Sequence, residues 1–364
     1  MSLPKAATHQ YLPKWTYYTP VLAAIVFVLH HYISAPWFLF VMVVVLVGSV
    51  LAAVQHAEII AHQIGEPIGT VVLALAVTVI EVSLIVSLTF SGKEADSGLA
   101  RDTVFAAVMI ILNGMIGLCI LTGGLKFREQ VFGLQGVSSA LTILVAISVL
   151  TLILPNYTTS VPGPSYNKEQ LVFVAIVTVL LYATFIVVQN FRHKNLFLSP
   201  EELACEMVFE KPGKRVAWLS FPFLIICLAA VVLLAEGLAP SLDNWLESRG
   251  APHAWVGLII ASIILLPEGI TAFQAAMKNN LQKSLNLSLG SALATIGLTI
   301  PCVSIIAVVT GTPLALGIDV KSTVLFFLSL LVIILSLSTG KTTILQGIVL
   351  LIIFSVYIFM TINP

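Results

Sequence analysis

Two carboxylates stand where a chain this apolar should have none. Glu81 lies within IGTVVLALAVTVIEVSLIVSL and Glu268 within VGLIIASIILLPEGITAF, while nearly all the other acids among the 17 Asp and Glu fall in polar connections or at the ends of apolar runs. A carboxylate at bilayer depth costs roughly 2.5–3.5 kcal/mol on insertion scales, so such residues face the protein interior and mark ion or proton pathways. The plainer account for both is a protonated Glu hydrogen-bonded between helices; two such costly acids make function the default reading. The two surroundings look like copies. Each opens on a glycine (Gly69, Gly257), runs through aliphatic residues and then meets its Glu. The next apolar run of each half carries a related phrase, MIGLCIL around Gly117 and TIGLTIP around Gly297. Carboxylates of this kind bind hard cations or protons, and the two loads compete for the same oxygens.

Neutral oxygens nearby are candidate second ligands. Thr78 and Thr271 each stand three residues from a Glu, close enough to share its helix face. In the run after Glu268, Ser284, Ser288, Ser291, Thr295, Thr299 and Cys302 recur at steps of three or four. That stripe would line a cation path or simply allow close helix packing. Asn113 is the one strong mid-span oxygen ligand of the run after Glu81. Pro267, directly before Glu268, removes a backbone donor, so a kink with freed carbonyls is expected there. His56 and His62, in QHAEIIAHQIGEP, sit near Glu58 and Glu66 and are a possible proton relay near neutral pH. A helix end reaching for the interface would explain them as well.

The elements that must hold these residues are membrane helices. Of 364 residues, 59% are hydrophobic and 9% charged, with a mean hydropathy of +1.06. A water-facing domain carries about a quarter charged residues, so the class is an all-α polytopic membrane protein. Apolar runs of spanning length fall near 16–33, 36–60, 67–91, 101–124, 137–155, 168–189, 215–237, 252–275, 281–310, 321–338 and 343–361. The expectation is therefore about 11 transmembrane helices. Spans two to six pair with spans seven to eleven as an inverted 5+5 repeat, plus one extra N-terminal helix. The divisions are a tail over 1–15, the extra helix over 16–35, a first repeat over 36–189, a polar linker over 190–214 and a second repeat over 215–364. An odd number of helices per repeat inverts the second copy, the architecture that exposes a midplane site to either side in turn.

Of the 17 Lys and Arg, only Lys93, Arg101, Lys168, Arg249 and Lys321 fall on the side opposite the N-terminus and linker. The positive-inside rule then puts the N-terminus and linker in the cytoplasm and the C-terminus in the periplasm of a bacterial inner membrane. The linker, which mixes basic residues with Glu201, Glu202, Glu206 and Glu210, reads as a solvated cytoplasmic segment. Four cysteines without a CxxC indicate no disulfide framework or zinc site. A net charge of zero gives no reason to expect nucleic acid. HExxH and GxSxG are absent, and STGKTT at 338–343 imitates a phosphate loop but has Leu335 where the first glycine belongs. No cofactor is expected beyond the transported ions.

The segments HAEIIAHQIGEPIGTVVLALAVTVIEVSLI and LLPEGITAFQAAMKNNLQKSLNLSLGSALATIGLTIP resemble the bacterial calcium(sodium, potassium)/proton antiporters of the cation/Ca2+ exchanger superfamily. The resemblance covers nearly the whole chain. It implies that Glu81 and Glu268 are the paired acids of two α-repeats, that the fold has eleven helices, and that proton entry drives export of Ca2+, Na+ or K+. Many calcium/proton members carry Asn shortly before each Glu and His after the second; here those places hold Thr78, Leu265 and Gly269. Fewer neutral oxygens favour monovalent ions. A cation channel or an intramembrane enzyme are the other readings. Single central carboxylates in an inverted repeat favour a carrier over a channel, which more often uses rings of charge or carbonyls.

Overall fold

In the computed structural model, residues 13–30, 32, 33, 35–65, 68–91, 98–197, 214–248 and 254–363 are described. Glu66, Cys205 and most of the polar linker, with Glu201, Glu202, Glu206 and Glu210, lie outside them, as do the first twelve residues of the tail. The chain is almost wholly helical. In order come α1 (Trp15–His30), α2 (Pro36–Ile64), α3 (Ile68–Ser91), α4 (Leu99–Met109) and α5 (Ile116–Phe127). Then follow α6 (Leu134–Ser148), α7 (Lys168–Val187), α8 (Lys214–Glu247), α9 (Ala254–Ile264), α10 (Leu266–Met277), α11 (Leu281–Ala294), α12 (Ile300–Thr310), α13 (Val320–Leu337) and α14 (Ile344–Ile362).

Several of these helices join into longer rods. A π-helical turn, Ile110–Met115, links α4 to α5, and another, Thr295–Thr299, links α11 to α12. Among the described residues, eight continuous helices are long and apolar enough to cross a bilayer, and α9 with α10 forms a ninth candidate bent by 56°. The helix α1 is shorter, at 16 residues, and α3 has 24. The eighth expected run proves to be that broken pair, and its break falls at Leu265, just before Pro267. A proline at the second helical position donates nothing, so the carbonyl of Ile263 has no i+4 amide to accept from. The run expected to stop near 237 continues to Glu247, through a Gly-Leu-Ala-Pro stretch that sequence pattern alone treats as a breaker.

Two compact units divide the chain, Met1–Ile80 with Met207–Leu238 and Glu81–Glu206 with Ala239–Pro364. In the first, α1 packs along α2. Its polar centre is His56, fully buried, stacked on Phe223 at 5.5 Å between ring centroids and met edge-on by Tyr17 at 5.5 Å. The second unit holds one large apolar core contributed by α4 to α7, α9 and α11 to α14, with Ile85 of α3, while Ala272 and Ala276 of α10 form a smaller cluster with Met115 and Cys119.

Two short pairings fasten the connections of the second unit. Gln130 and Val131 pair antiparallel with Thr342 and Lys341, and Ser165 bridges to Ala315. The first joins the loop after α5 to the loop before α14; the second joins the loop before α7 to the loop after α12. If the rod α4–α5 corresponds to α11–α12 and the helices after them correspond in turn, these bridges are counterparts. Around the second bridge, Arg101 Nη1 donates to the carbonyl of Gly317 (3.1 Å) and Asn156 Nδ2 to that of Ile318 (2.6 Å). Tyr166 donates its hydroxyl to the carbonyl of Leu150 at 2.6 Å, and burial pushes this phenol up to about 12, so it stays a donor. Around the first, Lys126 Nζ donates to the carbonyl of Met277 (2.9 Å) and Gln130 Nε2 to that of Ala276 (3.0 Å), which ties down the far end of α10.

Candidate cation site

Glu81 and Glu268 are brought together. Glu81 is 5% exposed and both carboxylate oxygens of Glu268 are withdrawn from solvent. The two groups are near enough for each to feel the other's charge. Their settings differ. Glu81 lies in the middle of the uninterrupted helix α3, held there by a long β-branched and leucine run without a breaker. Glu268 lies in the first turn of α10, immediately after the bend.

Thr295 is the residue that reaches across. Its Oγ1 donates to Glu81 Oε2 at 3.1 Å, and Thr295 is fully buried. It opens the π-helical turn Thr295–Thr299, where the wider coil re-aims side chains relative to a regular α-helix; such turns concentrate at functional sites. Pro301 follows in the first turn of α12 and leaves the carbonyl of Gly297 without an i+4 amide. Tyr182 of α7 closes this side of the site, close enough to sense the Glu81 charge. Gly297 makes that approach possible: a methyl there would stand 2.9 Å from Tyr182 Cβ and Cγ. In the other rod, Gly117 lets α14 approach in a similar way, with Leu350 Cβ 3.0 Å from where its own Cβ would be.

The remaining sequence candidates fall out unevenly. Thr78, one turn before Glu81 on α3, is buried. Asn113 is fully buried in the π-helical turn Ile110–Met115, where its Nδ2 donates to Ser329 Oγ at 3.0 Å and its Oδ1 has no hydrogen-bond partner among the described residues. Ser288 is buried but gives its hydroxyl to the carbonyl of Ser284 (2.9 Å), and Ser291 is half-buried. Thr271 is exposed and gives its hydroxyl to the carbonyl of Pro267 (2.9 Å), so three-residue spacing from Glu268 did not bring it inward. His56 and His62 are not brought together: the first is wholly buried and the second exposed. Six residues apart on a helix is about 240° of rotation, so one apolar face cannot hold both. Ser329, Tyr182 and Met115, which lies against Gly269, were missed by sequence reasoning. Ser329 and Tyr182 come from helices whose own pattern is that of ordinary packing, and Met115, although it opens MIGLCIL, has the side chain of a core residue.

Two buried carboxylates within electrostatic reach of one another in a multi-pass helical bundle, with a hydroxyl donor to one and interrupted helices nearby, fit a membrane carrier for small cations. The chain belongs to the sodium/calcium exchanger protein family, a family of secondary transporters, whose profile matches residues 34–191 and 219–363. It is 46% identical over 320 residues to the ionic transporter y4hA of Sinorhizobium fredii, covering 88% of this chain and 87% of that one. It is 35% identical over 316 residues to the sodium-potassium/proton antiporter ChaA of Escherichia coli, covering 86% and 85%. Its fold is similar to that of native YfkE, with a TM-score of 0.73 at 18% identity, over 96% of this chain and 99% of the other. The H+/Ca2+ exchanger CAX is also similar, with a TM-score of 0.68 at 14% identity, over 94% and 88%.

Proposed function

We propose that the chain exports Na+, K+ or Ca2+ across a bacterial inner membrane in exchange for entering protons, and that Glu81 and Glu268 carry both loads by turns. The observation that carries this reading is the meeting of two buried carboxylates from separate helices, one of them held by Thr295. Two nearby carboxylates repel when both are ionised. The pair is therefore stable either protonated or around a cation, and the doubly ionised empty state is disfavoured. That exclusion couples the two fluxes. A cation arriving from the cytoplasm displaces the protons, the loaded site closes and reopens outward, and protons from the acidic side release the cation.

The bend before Glu268 and the π-helical turn at Thr295 are where movement would concentrate, because each already lacks regular backbone bonds. Eleven spans serve this mechanism, with repeats over 36–189 and 215–364, the N-terminus inside and the C-terminus outside. The matched loop bridges and the Lys and Arg distribution support that arrangement.

Glu81→Gln and Glu268→Gln test it. Gln keeps the side-chain shape but releases no proton, so each purified variant in liposomes should fold and show no cation-coupled proton flux. Substantial coupled exchange by either one would overturn the assignment.

A further inference from the structure

The helix that carries Glu268 has 12 residues and is bent by 56° from α9 at its start. Its direction is not inherited from a long straight span, so its neighbours must set it. Along its length the hold is thin. Ala272 and Ala276 pack against Met115 and Cys119, and Glu268, Ala272 and Ala276 recur every four residues on one face. Alanine methyls resist rotation of one helix against another only weakly. At a radius of about 5–6 Å, a rotation of about 10° moves a carboxylate by about 1 Å.

The directional contacts lie at the far end. Gln130, 1% exposed in the short strand after α5, gives its Nε2 to the carbonyl of Ala276 at 3.0 Å and to Asn279 Oδ1 at 3.2 Å. It thus grips the last residue of the Glu268 face and the turn leading into α11, where Asn279 takes a φ of 61°. The backbone of Gln130 is itself fixed by pairing with Thr342. Lys126 Nζ also reaches the carbonyl of Met277, but from an exposed position where water can take its place. Resting on the antiport reading above, in which Glu268 holds the cation, we propose that Gln130 is a positioning residue for the cation site: by gripping the end of α10 it fixes that helix's rotation and so the place of the Glu268 carboxylate. Without the grip α10 samples several rotations, and apparent cation affinity falls with the fraction that presents Glu268 correctly.

Gly123 offers an independent way to break the grip. It packs against the Gln130 amide: an added methyl would overlap Oε1 and stand 3.0 Å from Nε2. Gly123→Ala therefore displaces the far end of a flexible side chain while leaving Gln130 chemically intact. Purified wild-type protein, Gln130→Leu, Gly123→Ala and the double variant are reconstituted in liposomes, and thermal unfolding is checked. Half-saturating Na+ and Ca2+ for proton flux are then measured at one alkaline pH. Half-saturation, unlike maximal rate, does not depend on the folded fraction, so a residue that only stabilises the fold would not move it. Each single variant should raise it about three- to tenfold for every ion the wild type exchanges, the net scale of one hydrogen bond. The double variant should be no worse than the worse single, because both changes remove one grip. A folded Gln130→Leu within about twofold of wild type, below the net worth of a hydrogen bond, overturns the proposal. So does a double variant whose rise is the product of the two singles. If Gln130→Leu does not fold, Gly123→Ala decides: a rise supports the proposal and an unmoved value overturns it. Wild-type protein without cation-coupled proton flux, or coupled exchange by Glu268→Gln, would overturn the antiport reading or its site, and this proposal with them.

Discussion

Replacing Thr295 with Val removes one hydroxyl and leaves the β-branched shape in place. Thr295 is fully buried and Glu81 is 5% exposed, so water cannot substitute for the lost donor. A hydrogen bond to a charged acceptor contributes roughly 1.5–3 kcal/mol. At 3.1 Å this one is long for a hydroxyl donor, which puts it near the lower figure. The donation favours the ionised, cation-competent carboxylate over the protonated one. About 1.4 kcal/mol is tenfold in binding, so half-saturating Na+ at fixed pH should rise about tenfold in Thr295→Val. Equivalently, the activity profile should move about one pH unit to the alkaline side. If the hydroxyl oxygen also coordinates the cation, its loss acts in the same direction. The assay is proton flux in liposomes on adding Na+ from pH 6.5 to 9, beside a thermal melt. A variant that melts normally and shows a profile within twofold of wild type would refute the view that Thr295 tunes Glu81.

Other consequences can be checked with the same preparations. Gly297→Val should destabilise the protein by about 1–3 kcal/mol, the usual cost of overpacking, because its side chain would press into Tyr182; an unchanged melt would mean the helices are less close than described. A reporter fused after Pro364 should be periplasmic and one inserted in the 190–214 linker cytoplasmic; both on one side would break the inverted arrangement. Sodium/proton exchange should be measurable beside any calcium/proton exchange, with apparent cation affinity improving as pH rises, since protons and cations share the same oxygens. Strictly calcium-dependent flux at pH 9 would contradict the ligand shortage inferred from Thr78, Leu265 and Gly269.

The parts of the site that sequence reveals are those where a residue contradicts its surroundings. Glu81 and Glu268 stand out because a bilayer penalises charge, and Pro267 because it must break the ladder. Thr295 belonged to a visible polar stripe, yet nothing in the stripe distinguished it from Ser288. What separates them is where each hydroxyl goes: Ser288 turns back to Ser284, and Thr295 crosses to Glu81. That choice depends on how far one rod is shifted and rotated against the next, which no local pattern encodes. The π-helical turns were invisible for a related reason. An extra residue in a helical turn has no residue signature, and a strict 3.6-residue count misassigns every face beyond it. Thr271 shows a further limit, since sharing a face with Glu268 in one helix does not say which neighbour the face meets, and His56 and His62, close in sequence, lie on different faces of α2.

The same consideration applies to the two related phrases. MIGLCIL and TIGLTIP align well, and the alignment itself emphasises Gly117 and Gly297, the glycines that let neighbouring helices approach. The residues two before them, Met115 and Thr295, differ in whether an oxygen is presented. Fold symmetry and site symmetry are thus separable: the first requires small residues at crossing points, the second requires matched ligands beside matched acids.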